Sequence, residues 1–299
     1  MYRKIIGMCL FFACIQTANA QKYTLYWDKE PTTYYLHLPK GYDTLRKYPL
    51  IVNFHGMNST AIKQQNYCEM DNVADKEGFI TVYPQSSHLG WNAGLGLRSY
   101  TTGPDDIAYF SKLLDTLEDV LSIDKNRIYV TGVSLGGSFA YRVACEMSKR
   151  VAAVASVSGL MSDSTLIYCN PVRNVPILHI HGTRDHIMKY TGMKQAFGAE
   201  EVVKIWELKN QCGHKADTIQ IPNREKKDRT KAILIKYKNC ANESQVWFYK
   251  IEKGGHTWPG AAKAFKLMGR KCKDFDGSQA IWDFFKQFTL QTGMSFVEK

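Results

Sequence analysis

The sequence predicts a single α/β domain built on a mostly parallel sheet with helices on both faces. Two observations carry this. Short runs rich in Val, Ile and Tyr alternate with amphipathic stretches from residue 22 to residue 288, and strands that alternate with helices build a parallel sheet covered on both sides. Several of those runs, PLIVNF and VAAVASVSG among them, are continuously apolar, which is the pattern of a strand buried on both faces. With 299 residues, 44% of them hydrophobic, the chain can fill one large core, and no internal repeat or linker divides it.

The elements follow in order. KYTLYW and TTYYLHLP read as two antiparallel strands, followed by a turn at GYD. PLIVNFHG is a buried strand ending in a glycine turn, and AIKQQNYCEMDNVADKEG is a helix stopped by Gly78. FITVYPQ is the next strand, ended by Pro84, and residues 85–104 are a Gly- and Ser-rich loop containing GWNAG. DDIAYFSKLLDTLEDVL is an amphipathic helix whose opening Asp105 and Asp106 suit the positive end of the helix dipole. RIYVTGVS is a strand running into the helix LGGSFAYRVACEMSKR; VAAVASVSG and VPILHIHGT are two more buried strands. A helix within MKQAFGAEEVVKIWELKNQC, short strands at DTIQI and AILIKY, the core strand VWFYKIEKGGH and the helix SQAIWDFFKQF complete the chain.

The first twenty residues have the form of a cleaved secretory signal. Arg3 and Lys4 open the segment, an apolar stretch follows from Ile5 to Ile15, and Ala18 and Ala20 give a small-x-small end. Lipid attachment at Cys14 is the alternative, with Phe11 a poor fit to it. The apolar stretch is shorter than the roughly 20 residues a membrane span needs. Removing Arg3 and Lys4 lowers the formal charge from +11 to +9. The remaining basic residues are dispersed, and the densest run, NREKKDRTK, is interleaved with acids, so no nucleic-acid partner is expected. Six cysteines remain after residue 20: Cys68, Cys145, Cys169, Cys212, Cys240 and Cys272. An even count in an exported chain points to disulfides, with 15 pairings open. No C-x-x-C spacing occurs, so neither zinc nor another metal is expected, and the chemistry below needs no cofactor.

That chemistry centres on GVSLGG, residues 132–137. Ser134 lies between a buried strand and a helix, with glycines at the two positions where a side chain would collide in a sharp strand-to-helix turn. Such a turn lifts the hydroxyl above the sheet and aims a helix N-terminus at it. A serine hydroxyl attacks only when a base takes its proton, and the base needs an acid to orient it. On this architecture the chain order is Ser, acid, His. Asp185 follows one buried strand and His256 follows the last. Asp163 is the reserve acid. His55 precedes the serine, His179 and His181 lie inside a strand, His186 adjoins the acid, and His88 and His214 lie in loops. Backbone N–H donors for the oxyanion should come from Leu135, the residue after the nucleophile, and from Met57 in the loop after NFHG.

Together HGM, VYPQ, GWNAG, GVSLGG, HIHGTRD and GGHTWPG resemble the secreted polyhydroxybutyrate depolymerase and feruloyl esterase family of α/β hydrolases. The likeness covers almost all of the chain after residue 20, with GGHTWPG its most specific piece. It implies the single-domain α/β-hydrolase fold, a serine esterase with Ser134, Asp185 and His256 as the triad, and feruloyl esters of plant cell-wall polysaccharide as substrate. Acetylated xylan and polyhydroxyalkanoate come behind, and a serine peptidase or a silent carbohydrate-binding relative further back. Family members often carry cysteine or serine after the HG where this chain has Met57; a backbone donor is indifferent to that change. Trp91 and Trp258 become candidates for the pocket wall. The resemblance and the layout also suggest the pairs Cys145–Cys169, Cys212–Cys240 and Cys68–Cys272.

Overall fold

The computed structural model describes residues 21–291 apart from 29, 96–100, 214 and 264–265. The expected signal segment, residues 1–20, and His214 lie outside the described residues. In chain order the elements are β1 (Gln21–Trp27), β2 (Glu30–His37), β3 (Tyr48–Phe54), α1 (Ala61–Cys68), α2 (Met70–Glu77), β4 (Ile80–Pro84), α3 (Asp106–Val120), β5 (Ile123–Val133), α4 (Leu135–Glu146) and β6 (Ala153–Val157). Then come α5 (Asp163–Ile167), β7 (Ile177–Gly182), α6 (Ala199–Lys209), β8 (Asp217–Gln220), β9 (Lys231–Tyr237), β10 (Val246–Glu252) and α7 (Gly277–Phe285).

Among the described residues the ten strands form one sheet in the order β1-β2-β4-β3-β5-β6-β7-β10-β9-β8. The six central strands, β4 to β10, pair in parallel. Antiparallel partners close both edges, β1 and β2 on one side and β9 and β8 on the other. Parallel strands are buried on both faces because crossover helices cover them, and the side chains of β3 divide accordingly. Leu50, Val52 and Phe54 join a core with Phe110, Leu113 and Phe139 of α3 and α4. Ile51 joins the opposite core with Val73 of α2 and Ile281 and Phe285 of α7.

The sheet winds outward in two directions from β3. Its neighbours β4 and β5 continue the chain on opposite sides, so the loops after β3 and β5 diverge and leave a crevice between them. The end of β3 is tied to the end of β5 by the pairing of Phe54 with Gly132. The loops after β3 and β5 therefore start side by side by topology.

The structure adds detail to the expected elements at three places. The helix expected over residues 61–78 is two helices, because Glu69 between them adopts a left-handed backbone with φ 51°. The carbonyl of Cys68 accepts a bond from Ser278 Oγ at 2.7 Å, which ties the break to α7. The stretch 193–212 is helical only over Ala199–Lys209, with Met193 and Ala196 forming an isolated bridge before it. Short helix α5 was not legible at all. Its five residues contain no full apolar period.

Disulfides join Cys145 to Cys169 and Cys212 to Cys240, as the layout suggested. The third expected pair is not formed: Cys68 and Cys272 are both buried free thiols. Each occupies a separate polar nest. Cys68 Sγ accepts from Asn53 Nδ2 at 3.3 Å on the α1 side of β3, while Cys272 sits with Asp228 and Asp274 beyond β8. Both disulfides lie at the end of the sheet where the parallel strands begin, since Cys145 lies in the last turn of α4, Cys169 precedes β7, and Cys240 precedes β10.

Candidate active site

Ser134 occupies the turn between β5 and α4 with φ 57° and ψ −125°. A non-glycine residue with this backbone is strained and persists only where its surroundings impose it. The constraint is visible in the flanking glycines. A β-carbon on Gly132 would lie 2.5 Å from the carbonyl carbon of Gly136, and one on Gly136 would run into the carbonyl oxygens of Phe54 and His55. Only glycine lets β3, β5 and α4 approach this closely. The Ser134 N–H bonds to Val157 O at 2.9 Å, which fixes the elbow to β6.

Asp185 and His256 meet from the loops after β7 and β10. His256 Nδ1 lies 2.7 Å from Asp185 Oδ2, so the ring donates from Nδ1 and keeps Nε2 as the basic nitrogen. Asp185 Oδ1 accepts the backbone N–H groups of Ile187 and Met188, each at 2.9 Å. His181 Nε2 donates to Met188 O at 2.8 Å and lies 3.4 Å from Asp185 Oδ2. Burial alone would raise the Asp185 carboxyl, but hydrogen bonds and charge from His181 and His256 hold it well below the usual carboxylate range. Asp185 is thus a fixed carboxylate. The His256 loop is pinned in turn: its N–H bonds to Met268 O at 2.6 Å and that of Gly255 to Arg270 O at 2.8 Å.

Ser134 and His256 line one pocket of about 480 Å³ with Gly56, Met57, Asn58, Gln64 and Tyr67. Gly56 abuts Ser134, since a β-carbon on it would stand 3.3 Å from that of the serine. Leu135 is the first residue of α4, where an N–H has no partner within the helix. Among the described residues the N–H groups of both Met57 and Leu135 are left without an acceptor, while the Met57 side chain is 55% exposed. Two unspent donors beside a strained serine are the arrangement that receives negative charge on a carbonyl oxygen.

The other expected residues sort clearly. Asp163 is exposed at the start of α5 and accepts from Ser164 N–H; His186 and His88 are exposed. Asp105 caps α3 through Ala108 N–H, and Asp106 accepts Asn92 N–H at 2.6 Å, which are structural tasks.

Trp91 and Trp258 do not line the pocket, contrary to expectation. Both are fully buried. Trp91 stacks on Phe139 and meets Phe54 edge-on in the core, with its Nε1–H donating to His55 O at 3.0 Å. Trp258 donates from Nε1 to Ser278 Oγ at 3.1 Å and from its backbone to Tyr67 Oη at 2.9 Å. Each holds a functional loop from behind. The pocket wall comes instead from α1 and the segment before it, with Lys63, Asn66 and Tyr67 on one side and Lys263 and Met268 on the other. Nothing in the sequence marked these residues, because a polar helix face reads the same whether it borders solvent or substrate.

A bifunctional acetylxylan esterase/xylanase of Neocallimastix patriciarum is 29% identical over 249 residues, covering 83% of this chain and 32% of that protein. Feruloyl esterase B of Piromyces equi is 25% identical over 268 residues, covering 84% of this chain and 44% of its own. The chain thus spans less than half the length of either relative. Among solved structures, an acetyl xylan esterase from Aspergillus awamori superposes with a TM-score of 0.63 at 15% identity, covering 90% of this chain and 99% of that one. The α/β-hydrolase fold is therefore shared well beyond sequence likeness. The esterase family model matches residues 28–266. A match running from the turn after β1 to the loop beyond His256 makes this chain a member of the esterase family.

Proposed function

We propose that the protein is an exported carboxylic ester hydrolase that works through an acyl-enzyme, with hydroxycinnamoyl esters of plant cell-wall polysaccharide as its substrates. The observation that carries this reading is the Asp185–His256 hydrogen bond at the back of the pocket that Ser134 enters. Ser134 Oγ attacks the ester carbonyl carbon while His256 Nε2 takes the hydroxyl proton. The N–H groups of Met57 and Leu135 receive the oxyanion. Collapse of the tetrahedral adduct expels the alcohol, which takes the proton from His256. Water then attacks the acyl carbon, again giving its proton to His256, and the acid leaves as Ser134 recovers its hydrogen. Asp185 stays ionised throughout and stabilises the imidazolium.

The pocket supports an aromatic acyl group on a sugar alcohol. Met57, Val133 and Met268 give an apolar wall, and Asn58, Ser59, Gln64 and Asn66 give a polar one. A cavity of about 480 Å³ is far larger than an acetyl group needs. A second reading, removal of acetyl from xylan, draws on the relative from Neocallimastix patriciarum. Two disulfides fit an oxidising compartment and so fit export; among the described residues no helix is long and apolar enough to cross a membrane.

The test is hydrolysis of methyl ferulate, an acetylated xylan oligomer and a hydroxybutyrate oligomer, with Ser134→Ala as control. Ferulate release that disappears in the variant is the expected result. A preference for the acetyl ester favours the second reading. Turnover that survives Ser134→Ala overturns both.

A further inference from the structure

His55 is fully buried at the end of β3, and the reaction scheme above gives it no task. Its ring is nevertheless held in one orientation and one tautomer. Nδ1 lies 2.8 Å from Gly56 O, which can only accept, so Nδ1 carries the proton. Nε2 receives the backbone N–H of Ser86 at 3.1 Å, which can only donate, and the side-chain amide of Gln85 lies 3.2 Å away. Nε2 is therefore bare. Burial lowers the basicity of the ring, with the Gly56 bond opposing, so the neutral form is the one present.

The partner of this ring is the informative part. Gly56 O belongs to the same planar peptide as Met57 N–H, and in a trans peptide the two bonds point in opposite directions. No cis peptide occurs among the described residues. Holding Gly56 O on the His55 side thus turns Met57 N–H away from the core and toward the pocket that Gly56, Met57 and Ser134 share. Ser59 N–H also reaches Gly56 O, at the longer distance of 3.2 Å, but Ser59 lies in the same turn and moves with it. Among the described residues it is the His55 side chain that connects the carbonyl to the rigid sheet, through β3 itself and through the residues following β4.

We propose that His55 is a positioning residue for the oxyanion site: its neutral Nδ1–H fixes the Gly56–Met57 peptide so that the Met57 N–H is aimed before substrate arrives. This rests on the ester-hydrolase reading. A preorganised donor stabilises charge in the transition state at no cost in reorganisation, so its loss lowers kcat and leaves ground-state binding alone.

The experiment compares His55→Leu and His55→Asn with wild type on p-nitrophenyl acetate, and measures inhibition by a boronic acid that adds to Ser134 as a tetrahedral adduct. His55→Leu is expected to lower kcat about 10²-fold with KM within about threefold. Boronate affinity should fall in parallel, whereas affinity for the ferulate product should not. The Asn amide places an N–H close to the former Nδ1–H, so His55→Asn recovers most of the loss. Boronate affinity unchanged in His55→Leu, or equal losses in both variants, overturns the proposal. A measurement on the unmodified protein guards against poor folding of the variants: the ¹⁵N spectrum of His55 should show a protonated Nδ1 and a bare Nε2 at neutral pH, and the opposite tautomer overturns the proposal. A wild type with no esterase activity overturns the ester-hydrolase reading and this role with it, whereas an active wild type with an insensitive His55→Leu overturns this role alone.

Discussion

The indole N–H of Trp91 donates to the carbonyl oxygen of His55 across 3.0 Å, joining the GWNAG loop to the strand end that leads into the Gly56–Met57 turn. Trp91→Phe keeps the aromatic packing and removes this bond. It should cost about 1–3 kcal/mol, the price of an unsatisfied buried carbonyl. Trp91→Ala should cost about 3–5 kcal/mol by leaving a cavity beside Phe54 and Phe139. In both variants KM should hold while kcat falls, because the ring lies behind the pocket. Denaturant midpoints and steady-state kinetics on the same preparations check this; a raised KM with full stability would restore Trp91 to the pocket wall.

Asp185 makes stability depend on pH in a defined direction. Its folded carboxyl titrates below the ordinary range, so around pH 4 and below the unfolded chain binds the extra proton and the folded chain resists it. The contribution is complete above the ordinary carboxylate pKa and is lost as pH falls from there toward the folded value. Asp185→Asn removes this contribution, so its stability should fall less steeply than that of wild type between about pH 5 and 3. The same change should lower kcat about 10⁴-fold through the wrong His256 tautomer. Urea midpoints across that pH range read the first effect. Parallel slopes for the two proteins would contradict it.

Thiol chemistry separates the cysteines into two kinds. Burial pushes the Cys68 thiol up to about 12 and the Cys272 thiol up to about 11. Neither should react with an aromatic disulfide reagent at pH 8 in the folded protein, and two thiols should appear on unfolding of the chain from residue 21. Peptide mapping without reductant should recover Cys145 with Cys169 and Cys212 with Cys240. Recovery of a Cys68–Cys272 peptide would contradict the structure.

Arg173 is a buried cation that serves backbone carbonyls. Its guanidinium donates to Ser148 O at 2.8 Å, Ala152 O at 2.7 Å and Asn174 O at 3.0 Å, and burial lowers it to about 10. Arg173→Met should leave several carbonyls unsatisfied and cost about 3 kcal/mol or more. The residue stands at the start of the strands, remote from Ser134, so kcat and KM per folded molecule should not change. A kinetic defect without a stability defect would refute this assignment.

The legible part of the molecule is the part dictated by sterics and topology. Gly132, Ser134 and Gly136 announce themselves because a sharp turn tolerates no β-carbon at the flanking positions, and the order of Ser134, Asp185 and His256 follows from the winding of the sheet. Trp91 and Trp258 mislead because an aromatic on a loop near a candidate site looks the same in sequence whether it faces substrate or core. The hydrogen bond from Asn92 N–H to Asp106 turns that loop inward, and no local pattern reveals it. Lys63, Asn66 and Tyr67 escaped for the converse reason. Their helix borders the pocket through a tertiary placement that composition does not encode. The break at Glu69 likewise depends on Ser278, more than two hundred residues away.

Both cross-links sit at the base of the sheet, and the loops carrying Ser134, Asp185 and His256 rise unstapled from its other end. Endurance and the proposed turnover are thereby wired to different ends of one scaffold. A reducing environment would register as a shorter working life of the population, with each surviving molecule still running at its full rate.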